Sequence, residues 1–252
     1  MTDQASRPPP LEPLEFRVLT YNVHGLRSGT AAVAGVISAA RPDVVCVQEA
    51  PVGLRWRSRA AELARRAGLY VVTGGRPAAG NLLLCAARVD LVSAGDHLLS
   101  RTPGLPARGC AAAVLHAGGT TIGVVGTHFG LNASERRRHA AEVAEIAEQM
   151  RTAGASSVVV AGDLNSTPAA AEWEPLLVGL RDTAGIGAAW STFPVRTPRA
   201  RIDVVLAEPE VAVHSCGVPD HAELVSASDH LPVLAVLRLP RPARAASPAE
   251  SG

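Results

Sequence analysis

The chain has 252 residues, 47% of them hydrophobic and 19% charged, with a formal net charge of +1. That length supports a substantial core in one domain, and the near-neutral charge excludes a broad basic field for gripping nucleic acid while leaving room for a local patch. All 24 basic residues are arginine, which rules out Schiff-base and P-loop lysine chemistry and leaves a side chain suited to bidentate phosphate contacts.

Residues 1–14 are polar and proline-rich, and a disordered lead-in is expected there. Residues 16–21 alternate like a strand that ends at Asn22. A helix should follow, capped by Ser28 or Thr30, with Val33, Val36, Ile37 and Ala40 on its inner face and Pro42 beyond its end. Residues 44–47, VVCV, read as a buried strand that stops at Gln48-Glu49. Residues 55–67 read as a short helix whose arginines form an exposed face. Further strands are expected near 69–73, 81–86, 89–99 and 109–116, punctuated by Gly and Pro as hairpins require.

Residues 122–126 form another strand, ending at Thr127-His128. Asn132 and Glu135 have the spacing of a capping box, and the helix behind them should run to about Met150 with Val143, Ile146 and Ala147 inward. In the stretch 157–165, SVVVAGDLN, a β-branched run reads as a strand that Gly162 ends in a tight turn. Asp163 and Asn165 then sit two apart at its rim. Helical residues near 169–179 lead to a Gly-rich loop. Residues 202–206 form a strand with Asp203 embedded in it, and Ser228-Asp229-His230 precedes a last strand at 233–237. The globular domain is expected over 15–238, with a disordered tail over 239–252.

Cys46, Cys85, Cys110 and Cys216 lie among small or apolar residues without paired spacing, so buried free thiols are expected. The first residues contain no apolar signal-peptide core, and no segment approaches about 18 unbroken apolar residues. A soluble, cytoplasmic monomer with no membrane span is the expectation.

The chemistry-bearing residues recur at strand ends. Asn22, Glu49, His128 and the Asp163/Asn165 pair each follow an apolar strand, Asp203 lies inside one, and Asp229-His230 precedes another. Acids next to apolar strands need partners, and six such positions point to one shared site at a sheet edge. Carboxylate and amide oxygens suit Mg²⁺, Mn²⁺ or Ca²⁺ rather than Zn²⁺ or copper. No GxSxG, nucleophilic cysteine or Walker A stretch is present. The class indicated is metal-assisted attack of water on a phosphate ester.

The motifs TYN at 20–22, QE at 48–49, TH at 127–128, GDLN at 162–165, RID at 201–203 and SDH at 228–230 resemble, in order, those of the endonuclease/exonuclease/phosphatase superfamily. That superfamily includes deoxyribonucleases, apurinic endonucleases, sphingomyelinases and inositol polyphosphate 5-phosphatases. The resemblance implies an α/β (α+β) fold: a four-layer α/β/β/α sandwich of two packed mixed β-sheets with outer helices.

It also implies Mg²⁺, with Mn²⁺ as substitute, held by Glu49 with Asn22 and Asp229. Asp163 would orient or deprotonate the attacking water, and Asn165 would position the water or the phosphate. His230 would contact the scissile phosphate, Asp203 would fix the His230 tautomer, and His128 would donate to a phosphate oxygen. Whether Asp163 or His230 is the base stays open.

The expected reaction is hydrolysis of a phosphodiester, with DNA or RNA as possible substrate. The alternative is a phosphomonoesterase or a lipid or inositol headgroup hydrolase, and a catalytically inactive binding protein is a third reading. Two departures from the family pattern, Val204-Val205 after the RID motif and an aromatic content of 3%, argue against a DNA-repair role. Arg108 is a candidate phosphate contact, as is one of Arg136, Arg137 and Arg138. His24 and His139 read as surface or loop residues.

Overall fold

The valine-rich runs pair into two six-stranded mixed sheets in a computed structural model that describes residues 12–185 and 187–241. The first sheet holds β1 (Leu14–Asn22), β2 (Val44–Gln48), β3 (Tyr70–Gly75), β4 (Asn81–Cys85), β11 (Ala212–Gly217) and β12 (Val233–Leu239), in the order β11-β12-β1-β2-β4-β3. The second holds β5 (Asp90–Leu98), β6 (Gly109–Ala117), β7 (Thr120–His128), β8 (Ser157–Asp163), β9 (Arg181–Asp182) and β10 (Asp203–Ala207), in the order β5-β6-β7-β8-β10-β9. Each sheet has one parallel pair, β1–β2 in the first and β7–β8 in the second. A helix makes each crossover: α1 (Thr30–Ala40) joins β1 to β2, and α3 (Ala133–Thr152) joins β7 to β8.

The two-residue period of the strands sorts their side chains into layers. Phe16, Val18, Cys46, Leu83, Ala111, Ala113, Val124, Val159, Ala161 and Val205 fill the space between the sheets. The alternate residues Leu19, Tyr21, Val45 and Val47 face outward onto Val33 and Ile37 of α1 and Leu63 of α2 (Trp56–Ala67). On the other side Val125, Val158, Val160 and Val204 meet Val143 and Ile146 of α3. The architecture is the four-layer α/β/β/α sandwich. Small residues let the two sheets approach: a Cβ on Gly126 would lie 3.1 Å from Leu83 Cδ2 and 3.3 Å from Cys46 Cβ.

Several local expectations are corrected. Strand β8 runs through Gly162 to Asp163 instead of turning there. The glycine is needed for close approach, since a Cβ on it would stand 1.9 Å from the Thr127 carbonyl oxygen on β7. Helix α1 begins after Gly29 with no side-chain cap, so neither Ser28 nor Thr30 caps it. Asn132 does cap α3, accepting from the Glu135 amide at 3.1 Å, but Glu135 turns its carboxylate inward and is only 3% exposed. The helical residues expected near 169–179 are a 3₁₀ turn, Ala171–Trp173, followed by the four-residue α4 (Glu174–Leu177).

Strands β9 and β11 and the short α5 (Leu224–Ala227) were not expected from the periodicity; two to six residues carry too little of it. His139 is buried on α3, bonded to the Ser100 carbonyl at 2.9 Å and packed on Phe129, not a surface residue. All four cysteines are free thiols, Cys216 only partly buried. β1 starts at Leu14 and β12 ends at Leu239, each reaching into a segment expected as lead-in or tail. The rest of those segments, residues 1–11 and 242–252, lies outside the described residues. No helix among the described residues is long and apolar enough to cross a membrane.

Candidate active site at the convergence of the two sheets

Parallel pairing sets the location. The C-terminal ends of β1 and β2 carry Asn22 and, one residue past β2, Glu49. The C-terminal ends of β7 and β8 carry His128 and Asp163, which are directly paired in register. β10 runs antiparallel to β8, so its first residue, Asp203, pairs with Asp163. β12 runs antiparallel to β1, which brings the preceding Asp229 and His230 to the same edge. The carboxamide of Asn22 crosses between the sheets, donating to Asp163 Oδ2 at 3.1 Å and to Glu49 Oε1 at 3.3 Å.

Asp163 is the hub. It is 1% exposed, and its Oδ1 accepts the Asn165 amide at 2.9 Å. Its Oδ2 faces Nε2 of His128 at 3.4 Å and Nε2 of His230 at 3.8 Å. Burial raises its pKa above the usual carboxylate range and the nearby Asp203 charge adds to this, while His230, the Asn165 amide and Asn22 act in the opposite sense.

On its far side His230 binds Asp203 Oδ2 through Nδ1 at 2.9 Å. Burial alone would lower the His230 pKa, but the bond to Asp203 and the charges of Asp203, Asp163 and Asp229 outweigh it and raise the value to about 9. The Phe193 ring packs on the imidazole at 4.6 Å between centroids. Thr192 ties the supporting segments together: its Oγ1 accepts from the Ile202 and Asp203 amides, and its carbonyl from the Leu231 amide.

His128 is held in the opposite charge state. Burial, then the adjacent positive charges of Arg108 and His230, keep its pKa well below the usual value. The Asn165 carboxamide nitrogen donates to the Phe129 carbonyl at 2.9 Å and stands 3.1 Å from His128 Nε2. Two residues of the site have left-handed backbone, Glu49 at φ 54° and Asn165 at φ 49°. For a glutamate that conformation costs roughly 1–2 kcal/mol, and it turns the side chain out of the strand direction toward the mouth.

The eight residues picked from sequence therefore meet at one edge, with two subdivisions. Asp163, Asp203 and His230 are mutually close, with ligating atoms within 4.8 Å of one another. Both imidazole nitrogens of His230 face carboxylates, so this group forms an Asp–His–Asp relay rather than an open metal cage. Glu49 differs: it is exposed, and its one side-chain hydrogen bond among the described residues comes from Asn22. An open carboxylate beside an amide suits a hard cation. Asp229 lies at the rim, 41% exposed, 3.6 Å from His24 Nδ1.

His24 is thus at the site, not apart from it. Its φ of 47° begins a tight turn whose Gly25 amide binds the Glu49 carbonyl, a detail that no sequence spacing reveals. Arg108 also faces the site, 3.0 Å from His128 Nδ1. Arg136 and Arg137 instead pair with Glu172 and Glu174, and Arg138 bonds Ser100 and Thr102.

The sequence profile described as the Endonuclease/Exonuclease/phosphatase family matches residues 19–230. No curated protein sequence matches the chain. Among solved structures, an endonuclease/exonuclease/phosphatase from Bacteroides vulgatus is similar at 21% identity, with 90% of this chain and 99% of that one covered and a TM-score of 0.75. A mannosyl-6-phosphatase from Bacteroides thetaiotaomicron is similar at 18% identity, over 88% of this chain and 99% of that one, with a TM-score of 0.74. The human Nocturnin catalytic domain, solved with a sulfate anion, is similar at 17% identity, over 90% and 95% of the two chains, with a TM-score of 0.72. At these identities the structural likenesses establish the shared fold.

Proposed function

The chain belongs to the endonuclease/exonuclease/phosphatase family, a family of hydrolases, and on that premise we propose that it is a Mg²⁺-dependent phosphodiesterase. The observation that carries the proposal is the hub at Asp163: a buried carboxylate of raised pKa, held by Asn22 and the Asn165 amide and flanked by two imidazoles in opposite charge states. A carboxylate tuned toward neutral pH suits a general base acting on water.

In this reading Asp163 orients the attacking water and accepts its proton. His230, protonated and steadied by Asp203, donates to the phosphate as negative charge develops, and Asn165 holds the neutral His128 beside it. Glu49 and Asp229 would hold the cation, with Asn22 orienting the Glu49 carboxylate; when bound, the ion supplies Lewis-acid neutralisation of phosphate charge. The new P–O bond forms to water while the ester P–O bond breaks and the leaving oxygen takes up a proton.

Nucleic acid is the substrate class we carry forward, with contacts to few phosphates at a time. A monomeric, cytoplasmic protein is part of the same reading, supported by four unpaired thiols. The fold shared with a mannosyl-6-phosphatase supports phosphomonoesters as the alternative. Hydrolysis of bis-p-nitrophenyl phosphate and of p-nitrophenyl phosphate, each with Mg²⁺ and with chelator, separates the two. Faster Mg²⁺-dependent turnover of the diester is expected, and turnover of the monoester alone would replace the proposal by its alternative.

A further inference from the structure

A cavity of about 250 Å³ opens beside Glu49, lined by Gly25, Arg27, Val52, Ala79 and Gly80 together with Glu49 itself. It takes no part in the hydrolytic step. Its walls are fixed by the backbone. The Gly25 amide binds the Glu49 carbonyl at 3.0 Å, the Ala50 amide binds the Gly80 carbonyl at 2.9 Å, and the Gly80 amide binds the Gly75 carbonyl at 2.8 Å. Left-handed residues turn the chain on both sides: His24, Gly25 and Leu26 on one, Ala79 and Gly80 on the other. Three of these carry side chains, and such conformations persist only where the surroundings over-determine them. A Cβ on Gly80 would stand 3.3 Å from the Ala50 carbonyl oxygen and 3.6 Å from Val52 Cγ1, so a side chain there would press on the rim.

Arg27 is the one cation on the cavity. It is exposed, and its single side-chain hydrogen bond among the described residues joins Nη1 to His24 Nε2 at 3.0 Å. That bond steadies one edge of a guanidinium that has no acid partner among the described residues. A guanidinium plane stacks on nucleobases as an aromatic side chain does. No aromatic residue lines the cavity, and aromatics are only 3% of the chain, so Arg27 presents the flat face available here. We infer that this cavity is the subsite for the nucleoside next to the scissile phosphate, with its base lying on the Arg27 guanidinium.

Size and charge narrow the occupant. The volume falls just below the roughly 300–1,000 Å³ of pockets for drug-sized ligands, which suits one base rather than a run of them. A flanking phosphate is the competing occupant for an arginine. It would share the cavity with the Glu49 carboxylate, a like-charge contact that a neutral base avoids. The inference rests on the nucleic-acid reading of the phosphodiesterase and names the part of the substrate that is held outside the reacting centre.

The test uses the full chain with Mg²⁺ and three esters: thymidine 5′-(p-nitrophenyl phosphate), its counterpart lacking the base, and the thymidine ester carrying a 3′-phosphate. The unmodified protein should prefer the thymidine ester over the base-free one by about 10-fold in kcat/KM, mostly through KM, the scale of one stacked base. Arg27→Ala removes the plane and Val52→Trp fills the cavity from its exposed rim, so each should bring that ratio toward one. Arg27→Lys keeps the charge and loses the plane, and it should lose most of the preference too. No preference in the unmodified protein overturns the inference. So does a preference that survives in Arg27→Lys, or one that follows the 3′-phosphate instead of the base, either of which marks a phosphate contact.

A second measurement is independent of turnover. In ¹H–¹⁵N spectra, the 5′-methylene phosphonate of thymidine, in which carbon replaces the bridging oxygen, should shift the amides of Gly25, Ala50 and Gly80, and the base-free phosphonate should shift them much less. Equal shifts with and without the base overturn the subsite even if a variant fails to fold. Base-dependent shifts without any diester hydrolysis would support the subsite and refute the phosphodiesterase reading alone.

Discussion

His230 Nδ1 and Asp203 Oδ2 meet at 2.9 Å across 27 positions of sequence, in a contact where the carboxylate is fully buried. The other carboxylate oxygen, Oδ1, has no hydrogen-bond partner among the described residues, so Asp203 depends on His230 for its compensation. Asp203→Asn should lower kcat by roughly 10²–10⁴-fold if His230 supplies proton or charge in the transition state. KM should change less, because the interaction strengthens as charge develops. The double variant with His230→Ala should be scarcely worse than His230→Ala alone. Independent, multiplicative losses in steady-state kinetics would dissolve the pair as a functional unit.

Metal dependence is predicted to follow the exposed carboxylate of Glu49. Mg²⁺ or Mn²⁺ should restore activity to chelator-treated protein, and Zn²⁺ alone should not, given the oxygen donors. Glu49→Gln keeps the shape and removes the charge, so it should raise the Mg²⁺ concentration needed for half-maximal activity. Its melting temperature without metal should stay within a few degrees of the unmodified value, since exposed substitutions usually change stability by about 0.5 kcal/mol or less. A large drop in melting temperature would make Glu49 a structural residue.

The two imidazoles should tilt the pH dependence of stability in opposite directions. The folded-state pKa of His128 lies below its unfolded value of roughly 6.5. Its contribution is therefore present above that pH and lost as pH falls below it, where the unfolded chain takes up a proton that the folded one refuses. His230 has a folded pKa of about 9, so its contribution is complete below roughly pH 6.5 and lost as pH rises through 9. Denaturant midpoints in chelator between pH 5 and 10 are the measurement. His128→Gln should flatten the acidic limb and His230→Gln the alkaline one; the reverse assignment would contradict the charge states described here.

Binding to nucleic acid should be weakly salt-dependent. The net charge is +1, and several arginines are spent internally: Arg136 on Glu172, Arg151 on Glu148 and Glu208, Arg201 on Asp182. A plot of log affinity against log salt should have a slope of about −2 to −4, where each phosphate neutralised on duplex DNA contributes about −0.9. A slope near about −8 would require a broad basic groove.

Most of this was legible in the sequence where an apolar strand ended in a polar residue. Glu49, His128 and Asp163 could be found because each closely follows a short, continuous apolar run, at residues 44–47, 122–126 and 158–162. The strand partners could not be read, because parallel and antiparallel ladders share one periodicity; only the order of motifs implied that the ends converge. Gly162 was misread because a glycine that turns the chain and one that admits a neighbouring carbonyl look alike without the neighbour. His24 escaped for a related reason, and the contact of Arg108 with His128 could not be read although Arg108 itself was a candidate phosphate contact. Their roles come from backbone turns and contacts between segments 20 or more residues apart, and no local spacing encodes those.

The crossing of Asn22 from one sheet to the carboxylate of the other has a thermodynamic corollary. Glu49, Asp229 and His230 belong to one sheet and His128, Asp163 and Asp203 to the other, so hydrolysis counts only molecules whose two halves are docked. Turnover is then a gauge of sheet-to-sheet registry, more sensitive than any average over the backbone. A slippage of about an ångström between the layers would silence catalysis while every ladder stayed intact. On mild denaturation the enzymatic signal should fade at lower denaturant than the circular dichroism of the strands, and enlarging Gly126 at the seam should widen that gap.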